Sequence, residues 1–162
     1  MSTATVTQAP IRLTVAAAGI AAVASLVVTL AGLPVWALFV GWVAWLLRPA
    51  SVAQGLRSMA CAAAGLLLAI AAQASIGLLA PVVGPLAIAL TVFAVGVIVV
   101  GLRTHDVFGN PSAWFLGLVS SFALHADNAV DGLVTLVPAM AVGAVAGFVG
   151  QRVNHLRIIG GS

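Results

Sequence analysis

Between Arg12 and Arg48, and again between Arg57 and Arg103, the sequence holds no acidic, basic or histidine side chain. A soluble domain wets its surface with roughly 25% charged residues. This chain has 6%, against 63% hydrophobic. So few polar groups cannot cover a globule, and the solvent for most of the chain must be lipid. Helices satisfy their own backbone groups in hydrocarbon, so an all-α integral membrane protein is expected.

A helix needs about 20 residues to cross a hydrocarbon core of ~30 Å. Residues 13–33, 57–80, 83–102 and 131–151 meet that length. Two further stretches, "VWALFVGWVAWLL" (35–47) and "AWFLGLVSSFALH" (113–125), reach only roughly 20 Å at 1.5 Å per residue. The arginines decide how to count them. With the N-terminus inside and six crossings, Arg12, Arg48, Arg57, Arg103, Arg152 and Arg157 all fall on the cytoplasmic side. The turns at Pro34, at 80–85 and at 124–132 then lie outside with no arginine. A re-entrant 35–47 would instead put Arg48 and Arg57 outside, against the positive-inside rule. The expectation is a polytopic protein with six transmembrane helices. It has a polar tail (1–11), one membrane domain (12–151) and a C-terminal tail (152–162), with both termini cytoplasmic. The run 13–33 is long for a signal-peptide core and has no clean small-x-small cleavage site, so it reads as a retained helix.

The two short stretches open similar strings. An offset of 78 pairs Trp36 with Trp114, Gly65 with Gly143 and Gln73 with Gln151. Offsets of 76 and 77 pair Phe39-x-Gly41 with Phe115-x-Gly117 and Gly55-Leu56 with Gly132-Leu133. A duplicated unit of three spans reverses its orientation on copying, so the halves 12–80 and 83–151 would form an inverted repeat. Such repeats recur in transporters, with the route or site at their interface. Short helices suit the centre of such a bundle, where their ends face protein or water.

The six arginines are scattered singly, so the net charge of +3 makes no track for phosphates, and no nucleic-acid partner is expected. Cys61, the single cysteine, excludes a disulfide framework or cysteine metal cage. No ionisable group lies well inside a span. That speaks against a proton-driven pump and against a hydrolase needing a buried acid or base. No enzyme activity, cofactor or metal is expected.

The polar residues that remain are few. "LHADNAVDG" (124–132) gathers His125, Asp127 and Asp131 in one external turn. They are ordinary turn and cap residues, with Asp131 favouring the positive end of the last helix, or they form the outer mouth of a solute route. Ser120 and Ser121 on the second short helix are the residues expected to touch a solute. Trp42 and Trp45 share one helix face and either line a route or fill the core. Gly143 and Gly147 let the last helix approach a partner closely, within the chain or in another subunit.

The motif Trp36-Ala37-x-Phe39-x-Gly41, then Pro49 and Gly55-Leu56, is followed by Pro111-x-x-x-Phe115-x-Gly117, Phe122-Ala123 and Pro138. Over 34–150 this resembles the small bacterial inner-membrane proteins grouped as domain-of-unknown-function family 1097. Family members usually carry the proline one residue nearer the phenylalanine. The resemblance implies a bacterial inner-membrane location and brings no catalytic residue with it. Two functions are then expected in order: a passive channel or facilitator for a small neutral solute, and a membrane scaffold or accessory subunit. The expected partners are the lipid bilayer and either further copies of the chain or another membrane protein.

Overall fold

The computed structural model describes residues 3–126 and 128–159. These residues form six α-helices: α1 (Thr3–Leu30), α2 (Val35–Leu46), α3 (Val52–Val83), α4 (Leu86–Gly101), α5 (Pro111–Leu124) and α6 (Ala129–Ile159). A 3-10 turn, Leu102–Thr104, closes α4. Four apolar segments are long enough to cross a membrane: Leu13–Leu30, Val52–Val83, Leu86–Thr104 and Ala129–Val153. With 12 and 14 residues, α2 and α5 are the short pair.

Local chemistry sets the breaks. Gly32 (φ 69°) ends α1 in the left-handed conformation. The Leu33 amide reaches back to the Val28 carbonyl and that of Gly32 to Thr29, both at 3.0 Å, a Schellman closure. Ser51 caps α3 by accepting from the Gln54 amide at 3.2 Å. Asn110 caps α5, with Pro111 at its first position, where a missing N–H costs nothing.

Three helices outrun the apolar runs 13–33, 57–80 and 131–151 expected from sequence. α1 already covers Thr3 onward, α3 starts at Val52, and α6 continues to Ile159. Hydropathy marks where lipid ends, whereas a helix continues until a cap or breaker stops it. At 32 and 31 residues, α3 and α6 are about 47 Å long, so they must tilt or project beyond the hydrocarbon.

Each short helix lies on a long one: α2 on α6, and α5 on α3. The outer helices repeat the pattern, α1 against α6 and α4 against α3, while α2 touches α5 and α3 touches α6. Four glycines make the close crossings. A methyl on Gly41 would strike the Met140 carbonyl, and one on Gly143 the Leu38 carbonyl. A methyl on Gly117 would strike the Ala62 carbonyl, and one on Gly65 that of Trp114. The two crossings are therefore built from residues at matching positions, 76 apart on the short helices and 78 apart on the long ones.

Two apolar cores follow from this layout. One joins Val28, Leu38, Leu66, Leu136 and Met140. The other joins Cys61, Val99, Trp114 and Leu118. The smooth face at Gly143 and Gly147 meets α2 of the same chain, with Gly147 against Trp42 and Trp45. The close partner sought by that face is thus within the chain.

Candidate functional site

The seam between α3 and α6 is open at both ends and closed between them. At one end lies a cavity of about 230 Å³, walled by Leu66, Ile70, Gln73, Ser121, Asn128 and Leu133. At the other end is a groove of about 390 Å³ walled by Trp45, Leu56, Met59, Ala144 and Phe148. Ala62, Leu66, Leu136 and Met140, each at most 2% exposed, fill the seam between the two.

The two ends share a plan and differ in filling. At the first, Gln73 Nε2 donates to Ser121 Oγ at 3.1 Å. At the second, Trp45 Nε1 donates to Gln151 Oε1 at 3.0 Å. The glutamines are 78 apart, and Ser121 follows Trp45 by 76. By the same steps Ile70 corresponds to Phe148, which meets the Trp45 ring edge-on with centroids 5.8 Å apart. Indole and phenyl thus occupy one end, where the other has a hydroxyl and a smaller aliphatic chain.

The residues singled out from sequence fall in distinct places. Ser121 is on the cavity wall. Ser120 is 1% exposed and donates to the Leu116 carbonyl of its own helix at 2.7 Å. Adjacent helical residues point about 100° apart, so one serine serves the cavity and the other the packing. Trp45 is buried on the groove wall, while Trp42 stacks on Phe39 and packs against α6.

His125 ends α5 at φ 49°, an uncommon angle outside glycine, and its Nδ1 donates to the Ala123 carbonyl at 3.0 Å. Asp131 accepts from Asn128 Nδ2 at 2.7 Å, and Asn128 Oδ1 accepts from the Asp131 amide at 2.9 Å. This reciprocal pair closes the first turn of α6, and Asn128 carries it to the cavity wall. Asp127 lies outside the described residues.

The groove end carries a polar cluster that sequence reading missed. Arg48 Nη1 donates to Gln54 Oε1 (3.1 Å) and the Asp106 carbonyl (3.2 Å), and Nη2 to the Val107 carbonyl (3.1 Å). Cys61 Sγ donates to the same Val107 carbonyl at 3.3 Å. Asn110 Nδ2 donates to Ser58 Oγ at 3.2 Å, and Ser58 in turn donates to the Ala44 carbonyl at the end of α2. The 105–110 loop is thereby pinned onto the α2–α3 corner. Net hydrogen bonds to a charged group stabilise by about 1.5–3 kcal/mol. Arg48 is only half-buried, which reduces this to roughly 1 kcal/mol. Arg48→Ala should therefore lower hydrogen-exchange protection of amides 107–110 about fivefold and leave α6 unchanged. Unchanged protection in the loop would show that Arg48 is not what holds it.

No curated protein and no solved structure gives a significant match to this chain. One family model does, across residues 13–155, from the first membrane-length run to just past the last. That range takes in both crossings, the seam and the polar cluster. The chain is a membrane-type helical protein and belongs to the family described as Protein of unknown function (DUF1097).

Proposed function

We propose that this protein is a passive facilitator for a small neutral solute, built from two inverted halves, α1–α3 and α4–α6. The observation that carries this reading is the pair of openings at opposite ends of one seam, separated by a thin apolar septum. In α3 the cavity wall reaches back to Leu66 and the groove wall forward to Met59. Those residues are two helical turns apart, about 10 Å. Matching contacts at Gly41 and Gly117, and at Gly65 and Gly143, support the inverted halves. The chemistry assigned is transfer of an intact solute, with no catalytic step, cofactor or nucleic acid.

The proposed setting is the bacterial inner membrane, with α2 and α5 counted as short crossings and both termini cytoplasmic. Arg48 and Arg152 lie toward the groove end, Arg152 over the Phe148 ring. His125 and Asp131 lie toward the cavity end. The positive-inside rule then makes the cavity external. In a Cys61→Ala background, Ala126→Cys should react with an impermeant thiol reagent from outside and Arg103→Cys from inside. The reverse pattern would invert the orientation. Ile70→Cys should react from the Ala126 side, and its modification should slow solute flux. Modification that leaves flux untouched would remove the seam from the route.

A scaffold reading draws on α4. Its apolar face is exposed at Phe93, Val97 and Val100, and Gly96 and Gly101 have open space beside them. That face suits association with further copies of the chain or with another membrane protein. Constant co-purification with a second protein, and no flux, would favour this reading.

A further inference from the structure

The cavity at the Asp131 end leaves hydrogen-bonding groups unused, and their kind limits what can fill it. Gln73 commits one amide N–H to Ser121 Oγ. Its Oε1, its second N–H and the Ser121 hydroxyl hydrogen have no partner among the described residues. Asn128, the other amide on the wall, engages its Oδ1 and one N–H with Asp131 and keeps one N–H. The rest of the wall is largely apolar, at Leu66, Ile70, Leu133 and Leu136, and no charged side chain lines it among the described residues.

An ion seated here would lose hydration and find no counter-charge on the wall among the described residues. Gln73 is exposed at the mouth of the cavity, so its free edge is open to an incoming solute. The complement of that edge is a neutral group with a carbonyl and an N–H side by side. We infer that the cavity recognises small carboxamides and ureas through Gln73 and Ser121, with Gln73 as the specificity-determining residue. The ligand carbonyl accepts from the spare Gln73 N–H and the Ser121 hydroxyl, and the ligand N–H donates to Gln73 Oε1. The apolar remainder rests on Ile70 and Leu133. At about 30 Å³ per water, some 230 Å³ corresponds to seven or eight waters, room enough for a solute of acetamide's size. The opposite end offers no second copy of the site: the Trp45 indole bonds Gln151 and occupies the equivalent place.

This inference rests on the passive-route reading for its physiological sense, but binding can be read separately. The probe is acetamide, followed by saturation-transfer NMR from the purified detergent-solubilised protein to the acetamide methyl group. Acetate and methylammonium serve as charged comparators. Wild type should transfer to acetamide, and Gln73→Leu should weaken acetamide binding about tenfold, the scale of one lost hydrogen-bonding edge. Gln73→Glu, nearly isosteric, should weaken it as well, because it exchanges the N–H donor for a charged acceptor. Circular dichroism and the thermal midpoint of each variant report whether the fold is intact. Equal acetamide signals from wild type and folded Gln73→Leu, or acetate saturating as well as acetamide, would overturn the inference. Vesicle flux separates the two readings. Gln73-dependent acetamide binding without flux would keep the recognition site and remove the route. Glycerol flux without Gln73-dependent acetamide binding would keep the route and remove the amide site.

Discussion

Replacing Gly65 or Gly117 with alanine is expected to destabilise the protein by about 3 kcal/mol, the upper end of what overpacking costs. In an exposed helix the same change is favourable by roughly 0.5–1 kcal/mol, because glycine has more backbone freedom to lose. The sign reverses here because the new methyl meets the backbone of Trp114 or Ala62, and backbone cannot turn aside as a side chain does. The α3 and α5 axes must then separate along the whole crossing. Gly41→Ala and Gly143→Ala should cost a similar amount, since they meet the backbones of Met140 and Leu38 at the other crossing. Gly77→Ala and Gly96→Ala are the controls, with no neighbour within 4 Å. Thermal unfolding in detergent, read by tryptophan fluorescence, should separate the four destabilised variants from the two controls. Six indistinguishable midpoints would mean that the crossings are looser than described. A large effect at one crossing alone would argue against equivalent halves.

The second expected result concerns the groove end. Trp45 is 6% exposed, its indole bonded to Gln151 and packed against Phe148. Trp45→Ser recreates, at that end, the residue that Ser121 supplies at the other. A cavity opens in place of the ring, Gln151 gains a hydroxyl partner, and the groove widens on its side of the apolar septum. Solute flux should rise at least about tenfold, the equivalent of removing roughly 1.4 kcal/mol from the barrier. The lost ring contacts should cost about 3 kcal/mol of stability. Stopped-flow swelling of reconstituted vesicles would show the rise. Unaltered swelling by a folded Trp45→Ser protein would mean that the indole is packing and no gate.

Much of this arrangement is legible in the sequence. The turns at Gly32–Pro34 and Asn110–Pro111 carry their own signals, and the pairs Gly41/Gly117, Gly65/Gly143 and Gln73/Gln151 stand out in the string of residues alone. They do so because close crossings demand glycine and because an amide next to a long apolar run is conspicuous. The match of Trp45 with Ser121 is obscured, because on the same short helices Phe39-x-Gly41 pairs at 76 and Trp36 with Trp114 at 78. At the glycine crossings the offset is 76 on the short helices and 78 on the long ones, so the second half holds two extra residues between them. A constant offset of 78 sets Trp45 against Ala123. Which of Ser120 and Ser121 meets the cavity is also hidden, because α5 is apolar nearly all round and fixes no face by periodicity. Arg48 reads from sequence as an interfacial arginine, and its hold on carbonyls 58 and 59 positions away has no local signature.

The most direct test of the seam as a solute route is acetamide uptake by vesicles containing only this protein, compared with protein-free vesicles and with vesicles containing Ser121→Trp. The variant puts an indole where Gln73 now meets a hydroxyl, filling the cavity with the kind of ring that Trp45 places beside Gln151. Wild-type vesicles should swell faster than protein-free ones, and folded Ser121→Trp should return swelling to the protein-free rate. Wild-type uptake no faster than leakage, or uptake that Ser121→Trp leaves intact, would mean that no solute passes along the seam.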